Sequence, residues 1–223
     1  MSKIYCCSDI HGCIEEFEYA LSIILEHLDE PDTKLILMGD YIHGGSDSYA
    51  VLDRIIELQR NYGEKVIALL GNHEKWVIDG YKGIEDKKYS DRDDVYISWF
   101  ETLPHYYIEG NTIFVHAGIE EETGENWEWE TGEYVFTDKF PAETGYFSTG
   151  QKIVAGHIYT SIIADNKRFD QIYYDGLSHY YIDGDVLTNG NILILMVNTD
   201  TDTYYSVTEN GCYEVVPYGE EYR

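Results

Sequence analysis

The chain has 223 residues, 43% hydrophobic and 26% charged, which is enough apolar content for a full core and too much for wholesale disorder. Acidic residues outnumber basic ones 42 to 15, a formal charge of −27. Such a surface repels polyanions and argues against nucleic acid or membrane as partner; a small phosphorylated substrate stays open, because a bound cation reverses the local sign.

Residues 3–7 read as a strand, and residues 13–27 as a helix with Phe17, Leu21 and Ile24 at helical spacing. A strand at 34–38, a helix at 48–60 and a strand at 65–70 continue the alternation, which predicts buried parallel strands with right-handed crossovers. The charged stretch 82–94 reads as a solvent-facing loop. Beyond Asn111 come short strands at 112–115, 152–155, 171–174, 180–182, 191–197, 203–207 and 211–216, and this half predicts antiparallel sheet. Within it, residues 120–133 carry seven glutamates around Trp127 and Trp129. That segment reads either as a solvated loop pinned by both tryptophans or as a lid.

No Pro/Gly/Ser linker divides the halves, so residues 1–223 are expected to form one domain of two sheets with flanking helices. No stretch has the length and apolarity of a membrane span, and the N-terminus runs into a strand without signal-peptide character. The cysteines at 6, 7, 13 and 212 lack metal-finger spacing and read as reduced, mostly buried thiols of a cytoplasmic protein.

Chemistry collects at the strand ends. Asp9 and His11 follow the first strand, Asp40 and His43 the second, and Asn72 and His73 the third. His116 and His157 end the strands at 112–115 and 152–155. Ligand sites of open α/β sheets lie at that edge, where neighbouring glycines let backbone approach a bound group. Asp9, His11, Asp40, Asn72, His116 and His157 form an oxygen and nitrogen donor set without sulfur. It suits divalent ions, manganese first, with iron or zinc as alternatives, and is the right size for two ions sharing a carboxylate.

The blocks Asp9-Ile10-His11-Gly12, Gly39-Asp40, Gly71-Asn72-His73-Glu74, Val115-His116-Ala117-Gly118 and Gly156-His157 resemble those of the calcineurin-like metallophosphoesterases. The similarity is strongest to the phosphoprotein-phosphatase type, which includes bacterial and phage Ser/Thr phosphatases and symmetrical dinucleoside tetraphosphatases. The resemblance implies an α/β fold of two mixed β-sheets packed as a sandwich and flanked by helices. It implies that Asp9, His11 and Asp40 bind one metal, and that Asp40 bridges to a second held by Asn72, His116 and His157. His73 then acts as general acid, with Glu74 a supporting carboxylate at a helix start. The implied reaction is hydrolysis of a phosphoester by metal-activated water, on a phosphoprotein or, alternatively, on a dinucleoside polyphosphate or other small molecule. A weakly catalytic metal-binding interaction module is the rival from another class.

The second block departs from the family. Where the resemblance implies an aspartate that orients the acid and an arginine that grips phosphate, this chain has His43 and Gly44. The second family arginine aligns with Thr137, and Lys139 offers only a point charge in its place. His43 is read as an acceptor orienting His73, as a donor to phosphate, or as a loop residue. Tyr41, Gly44 and Tyr159 are the candidates for lining the substrate pocket. If positions 43 and 44 face substrate, His43→Asp with Gly44→Arg raises monoester turnover. His27, His105 and His179, outside the motifs, read as ordinary surface or core histidines.

Overall fold

A computed structural model describes residues 2–85 and 90–219. In chain order it contains β1 (Lys3–Cys7), α1 (Ile14–Leu28), β2 (Thr33–Leu37), α2 (Ser48–Tyr62), β3 (Val66–Ala68), α3 (Asn72–Ile78) and α4 (Asp93–Phe100). There follow β4 (Tyr106–Glu109), β5 (Thr112–Val115), α5 (Trp127–Glu130), α6 (Glu133–Asp138), β6 (Lys152–Tyr159), α7 (Thr160–Ile163), β7 (Tyr173–Tyr174) and β8 (His179–Asp183). The chain closes with α8 (Val186–Asn189), β9 (Ile194–Asn198), β10 (Thr203–Thr208) and β11 (Gly211–Glu214).

Two mixed sheets result. One runs β11-β10-β9-β1-β2-β3, with β1, β2 and β3 parallel and the rest antiparallel. The other runs β4-β5-β6-β8-β7, with β5, β6 and β8 parallel. The period of two along each strand sorts side chains into layers. From β1, Ile4 and Cys6 enter a core shared with Phe114, Val154 and Ile182 of the second sheet. Tyr5 and Cys7 face the opposite way, into the layer formed by Phe17, Leu21 and Ile24 of α1 and Val51, Leu52 and Ile55 of α2. The outer face of the second sheet is covered by Trp127, Phe136 and Phe147. The architecture is therefore a sheet sandwich flanked by helices, as the resemblance implies.

The antiparallel reading of the second half is corrected. β5 and β6 are parallel, and the long connection between them, which holds α5 and α6, makes the crossover that parallel strands need. β9, β10 and β11 leave that sheet to extend the first one, where Leu195 pairs with Cys6. The sequence reading also lacked α4 and β4.

The 82–94 stretch is not simply solvent-facing. Gly83 and Ile84 are buried, Asp93 opens α4, and residues 86–89 of that stretch lie outside the described residues. Of the two tryptophans in the acidic segment, Trp127 alone is buried. Trp129 is 89% exposed.

Candidate metal centre

β1, β2 and β3 lie in parallel register, so their C-terminal ends deliver Asp9, His11, Asp40, His43, Asn72 and His73 to one side. β5 ends in His116, and β6 carries His157 within a register irregularity between Ala155 and Tyr159. Backbone pairing continues into the loops. Asp9 N–H donates to Gly39 O (3.1 Å), His11 N–H to Asp40 O (2.9 Å) and Gly12 N–H to Tyr41 O (2.8 Å).

Asp9, His11, Asp40, His43 and His157 all adopt left-handed backbone, with φ between 52° and 75°. Such residues are uncommon outside glycine, and each is held against a strain of about 1–3 kcal/mol. Two glycines make room for the carboxylates. A Cβ on Gly156 would lie 2.2 Å from Asp9 Oδ2, and one on Gly71 would lie 2.3 Å from Asp40 Oδ1.

Two groups of potential ligands meet at Asp40. His11, Asp40 and His73 offer atoms within 4.8 Å of one another, and so do Asp40, His116 and His157. Asp9 Oδ1 stands 4.0 Å from His11 Nε2 on the first side. Asn72 Oδ1 stands 3.0 Å from His116 Nε2 and 3.1 Å from His157 Nδ1 on the second. His157 N–H donates to both oxygens of Asp9 (3.2 and 3.1 Å), which ties the two sheets together at the site.

The charges show what this donor set demands. His116 Nδ1–H donates to Met38 O (2.8 Å), which turns Nε2 toward Asn72 Oδ1 and toward Asp40 Oδ1 at 3.4 Å. Burial opposes a charge on His116, but Asp40 and then Asp9 hold the ring up to about 10. Burial likewise opposes ionisation of Asp40, yet His116 and His73 hold it well below the carboxylate range. Asn72 Oδ1, His116 Nε2, His157 Nδ1 and the Asp40 carboxylate thus converge on one another as acceptors. A divalent ion placed among them satisfies all of these acceptors at once, so the residues fit a metal centre.

Supporting groups fix these positions. Glu74, fully buried at the start of α3, accepts Asp40 N–H and Tyr41 N–H at 2.8 Å each. His73 N–H donates to Asp40 Oδ1 (2.9 Å), and the His73 ring stacks on Trp76 at 4.4 Å. Burial pulls His73 down to about 4, with Asp40 opposing and His11 and His43 adding to the fall. Burial and then His116 lower His157 as well.

A cavity of about 240 Å³ opens over the centre. His43, Gly44, His73 and Tyr159 line it, together with Lys82 and Asp183, which the sequence reading did not single out. Asp183 carried the usual signal, an apolar strand ending in Ile182-Asp183-Gly184. Lys82 carried none, being one charge among many. Burial and then Asp183 push the Tyr159 hydroxyl up to about 12.

Tyr41 is corrected: it does not line the cavity. It is fully buried, and its hydroxyl, with one proton to donate, sits 2.7 Å from Leu69 O and 2.8 Å from Leu37 O and accepts Gly39 N–H at 3.1 Å, fastening the ends of β2 and β3. Lys139 and Thr137 are also committed elsewhere. Lys139 Nζ donates to Ile119 O and pairs with Glu143, while Thr137 Oγ1 donates to Asp138 Oδ2 (2.5 Å). His179 is no ordinary core residue either. It is buried between Asp175 and Glu121, with 2.9 Å contacts to each carboxylate.

The chain belongs to the calcineurin-like phosphoesterases, a family of metal-dependent phosphoester hydrolases with a dinuclear divalent centre, whose model matches residues 2–198. Among curated relatives, a symmetrical bis(5'-nucleosyl)-tetraphosphatase of Nitrosospira multiformis is 31% identical over 126 residues, covering 52% of this chain and 43% of the relative. One from Wigglesworthia glossinidia brevipalpis is 33% identical over 126 residues, covering 52% and 44%. The matched part thus spans less than half the length of these relatives. Among solved structures, a cold-active protein-tyrosine phosphatase of a Shewanella species superposes with a TM-score of 0.70 at 14% identity, covering 97% of this chain and 81% of its own. At that identity the likeness shows the shared fold. Among the described residues no helix is long and apolar enough to cross a membrane.

Proposed function

We propose that this chain hydrolyses a phosphoanhydride or phosphoester bond in a small molecule, with dinucleoside polyphosphates as the substrate class. The observation that carries the reading is Asp40, common to both ligand groups. Asp9, His11 and Asp40 would hold one divalent ion, manganese in the first instance, and Asp40, Asn72, His116 and His157 the other. Bound there, the pair supplies Lewis acidity toward the phosphoryl oxygens and an acidified water.

The chain's own residues would handle the proton. Gly83 O can only accept, so His43 Nε2–H donates to it at 2.9 Å, and the neutral ring presents Nδ1 as an acceptor. His73 Nδ1–H then donates to His43 Nδ1 (3.0 Å) and Ile42 O (3.2 Å). That leaves His73 Nε2, 3.8 Å from Asp40 Oδ2, as the atom turned to the reacting group. In this reading His43 takes the orienting role, and His73, once it has taken up a second proton at Nε2, delivers that proton to the leaving oxygen while Nδ1–H stays held.

The phosphoprotein reading fits less well. Among the described residues no arginine lines the cavity, and Lys82, over the Trp76 ring at 5.0 Å, is the lysine that does. A dianionic monoester is the substrate that most needs a bidentate fork. The names of the sequence relatives point the same way.

The test is turnover with added Mn²⁺ of diadenosine tetraphosphate, a phosphoserine peptide and p-nitrophenyl phosphate. The reading expects the first to have the highest kcat/KM and to yield two ADP per water consumed. Preference for the phosphopeptide would restore the protein-phosphatase reading. Metal uptake without turnover of any substrate would favour an interaction module.

A further inference from the structure

Asp183 stands at the end of β8, beside the β6 end that carries His157, with Tyr159 as its cross-strand neighbour. Its residue is 1% exposed, and it lines the same cavity as Asp9 and Asp40. One oxygen is accounted for: Oδ1 accepts Asp185 N–H at 2.9 Å. The other, Oδ2, has no hydrogen-bond partner among the described residues and is the one buried carboxylate oxygen there in that condition.

A buried carboxylate oxygen without a donor is costly, and a third carboxylate beside Asp9 and Asp40 adds like-charge repulsion. A purely structural role at this position asks for one acceptor only, which asparagine or serine supplies without charge. What the second oxygen lacks is a positive group, and the cavity it lines is where the divalent ions would sit. Asp183 is not in either group of atoms clustered within 4.8 Å, so it acts from outside the ligand set. We infer that Asp183 is a further carboxylate of the metal centre, a positioning residue that strengthens cation binding from beyond the direct ligands.

This inference rests on the dimetal reading of the cavity and is independent of the substrate. The experiment is titration of the metal-free full chain with Mn²⁺ by calorimetry, and thermal unfolding with and without Mn²⁺, for wild type and Asp183→Asn. Outer partners of metal sites typically change affinity by about 10–100-fold, and a loss of that size is expected. Unfolding without metal should occur at an equal or higher temperature in Asp183→Asn, because the amide has no charge to bury, while the Mn²⁺-induced rise shrinks. An Mn²⁺ Kd within about twofold of wild type overturns the inference. So does a fall in the metal-free Tm with the Mn²⁺-induced rise intact, the signature of a structural residue. If Asp183→Asn does not fold, Asp183→Ser keeps an acceptor for Asp185 N–H and is read by the same criteria. Wild type that takes up no Mn²⁺ sinks the dimetal reading as well, whereas normal wild-type uptake with an unchanged variant sinks this inference alone.

Discussion

His43 Nδ1 lies 3.0 Å from His73 Nδ1, and the far side of the His43 ring is anchored on Gly83 O. A histidine thus occupies the place where the family resemblance implies an aspartate. It can accept a hydrogen bond without adding negative charge to a site already rich in carboxylates. Gly83 belongs to the stretch that composition alone marked as a solvent-facing loop.

If His43 orients His73, His43→Ala lowers kcat on diadenosine tetraphosphate with little change in KM. General acid–base catalysis contributes about 10²–10⁴-fold, so the loss from misorientation should be at least about tenfold. Steady-state kinetics checks this, with His43→Asn as the partner variant, expected to recover part of the rate. Equal losses in both variants, accompanied by a raised KM, would make His43 a substrate contact.

Gly44→Arg will not restore a phosphate clamp. Gly44 has φ of 102°, a backbone conformation that side-chain-bearing residues rarely adopt, whereas the 2.7 Å approach of a Cβ to Leu187 Cδ1 meets only a movable side-chain tip. Holding a side-chain-bearing residue in that region costs about 1–3 kcal/mol. This reverses the expectation from sequence: His43→Asp with Gly44→Arg should melt earlier and gain no monoester turnover. Differential scanning fluorimetry and a p-nitrophenyl phosphate assay decide it.

Lys82→Ala should raise KM about tenfold or more, since a charge-assisted hydrogen bond contributes roughly 1.5–3 kcal/mol. Adding salt should weaken wild-type binding and leave the variant less affected. An unchanged KM would remove Lys82 from substrate recognition.

His179 predicts a pH signature. Burial opposes its charge, but Asp175 and Glu121 hold it up from 6.5 to about 9. Its contribution to stability is therefore complete below about pH 6.5 and is lost as pH rises through about 9. Asp175 is held down from 3.8 to about 2 against burial, chiefly by His179, so its share is present above about pH 4 and lost as pH falls through about 2. The Tm difference between wild type and His179→Gln should be widest between about pH 4 and 6.5 and narrow above about pH 9. A difference that stays constant to pH 10 would mean the ring is neutral.

Asp40→Asn should abolish the Mn²⁺-induced rise in Tm, which for wild type at 100-fold excess over Kd corresponds to about 2.7 kcal/mol. A chelator should reverse the wild-type rise.

What was legible in the sequence was local. The motif residues announce themselves because each strand, its terminal Asp, Asn or His and a glycine are neighbours in the chain. Asp183 carries the same signature in Ile182-Asp183-Gly184, but a single acidic residue in so acidic a chain stands out little. Sheet membership was not legible, since the Cys6–Leu195 pairing joins residues 189 positions apart and depends on packing rather than pattern. Tyr41 misled for a related reason: adjacency to Asp40 says nothing about which way its ring turns, and Glu74 and the ends of β2 and β3 turn it inward. His179 became informative only when Glu121, 58 positions away, was placed beside it.

The left-handed backbone at Asp9, Asp40 and His157 has an evolutionary corollary. Glycine or asparagine relaxes such positions, so purifying selection on the chemistry must continually oppose a thermodynamic pull away from it. In a descendant released from that selection, glycine and asparagine should therefore accumulate here sooner than at the cavity positions with ordinary backbone. A substitution record across diverging lineages would then date the loss of chemistry before the fold itself shows any decay.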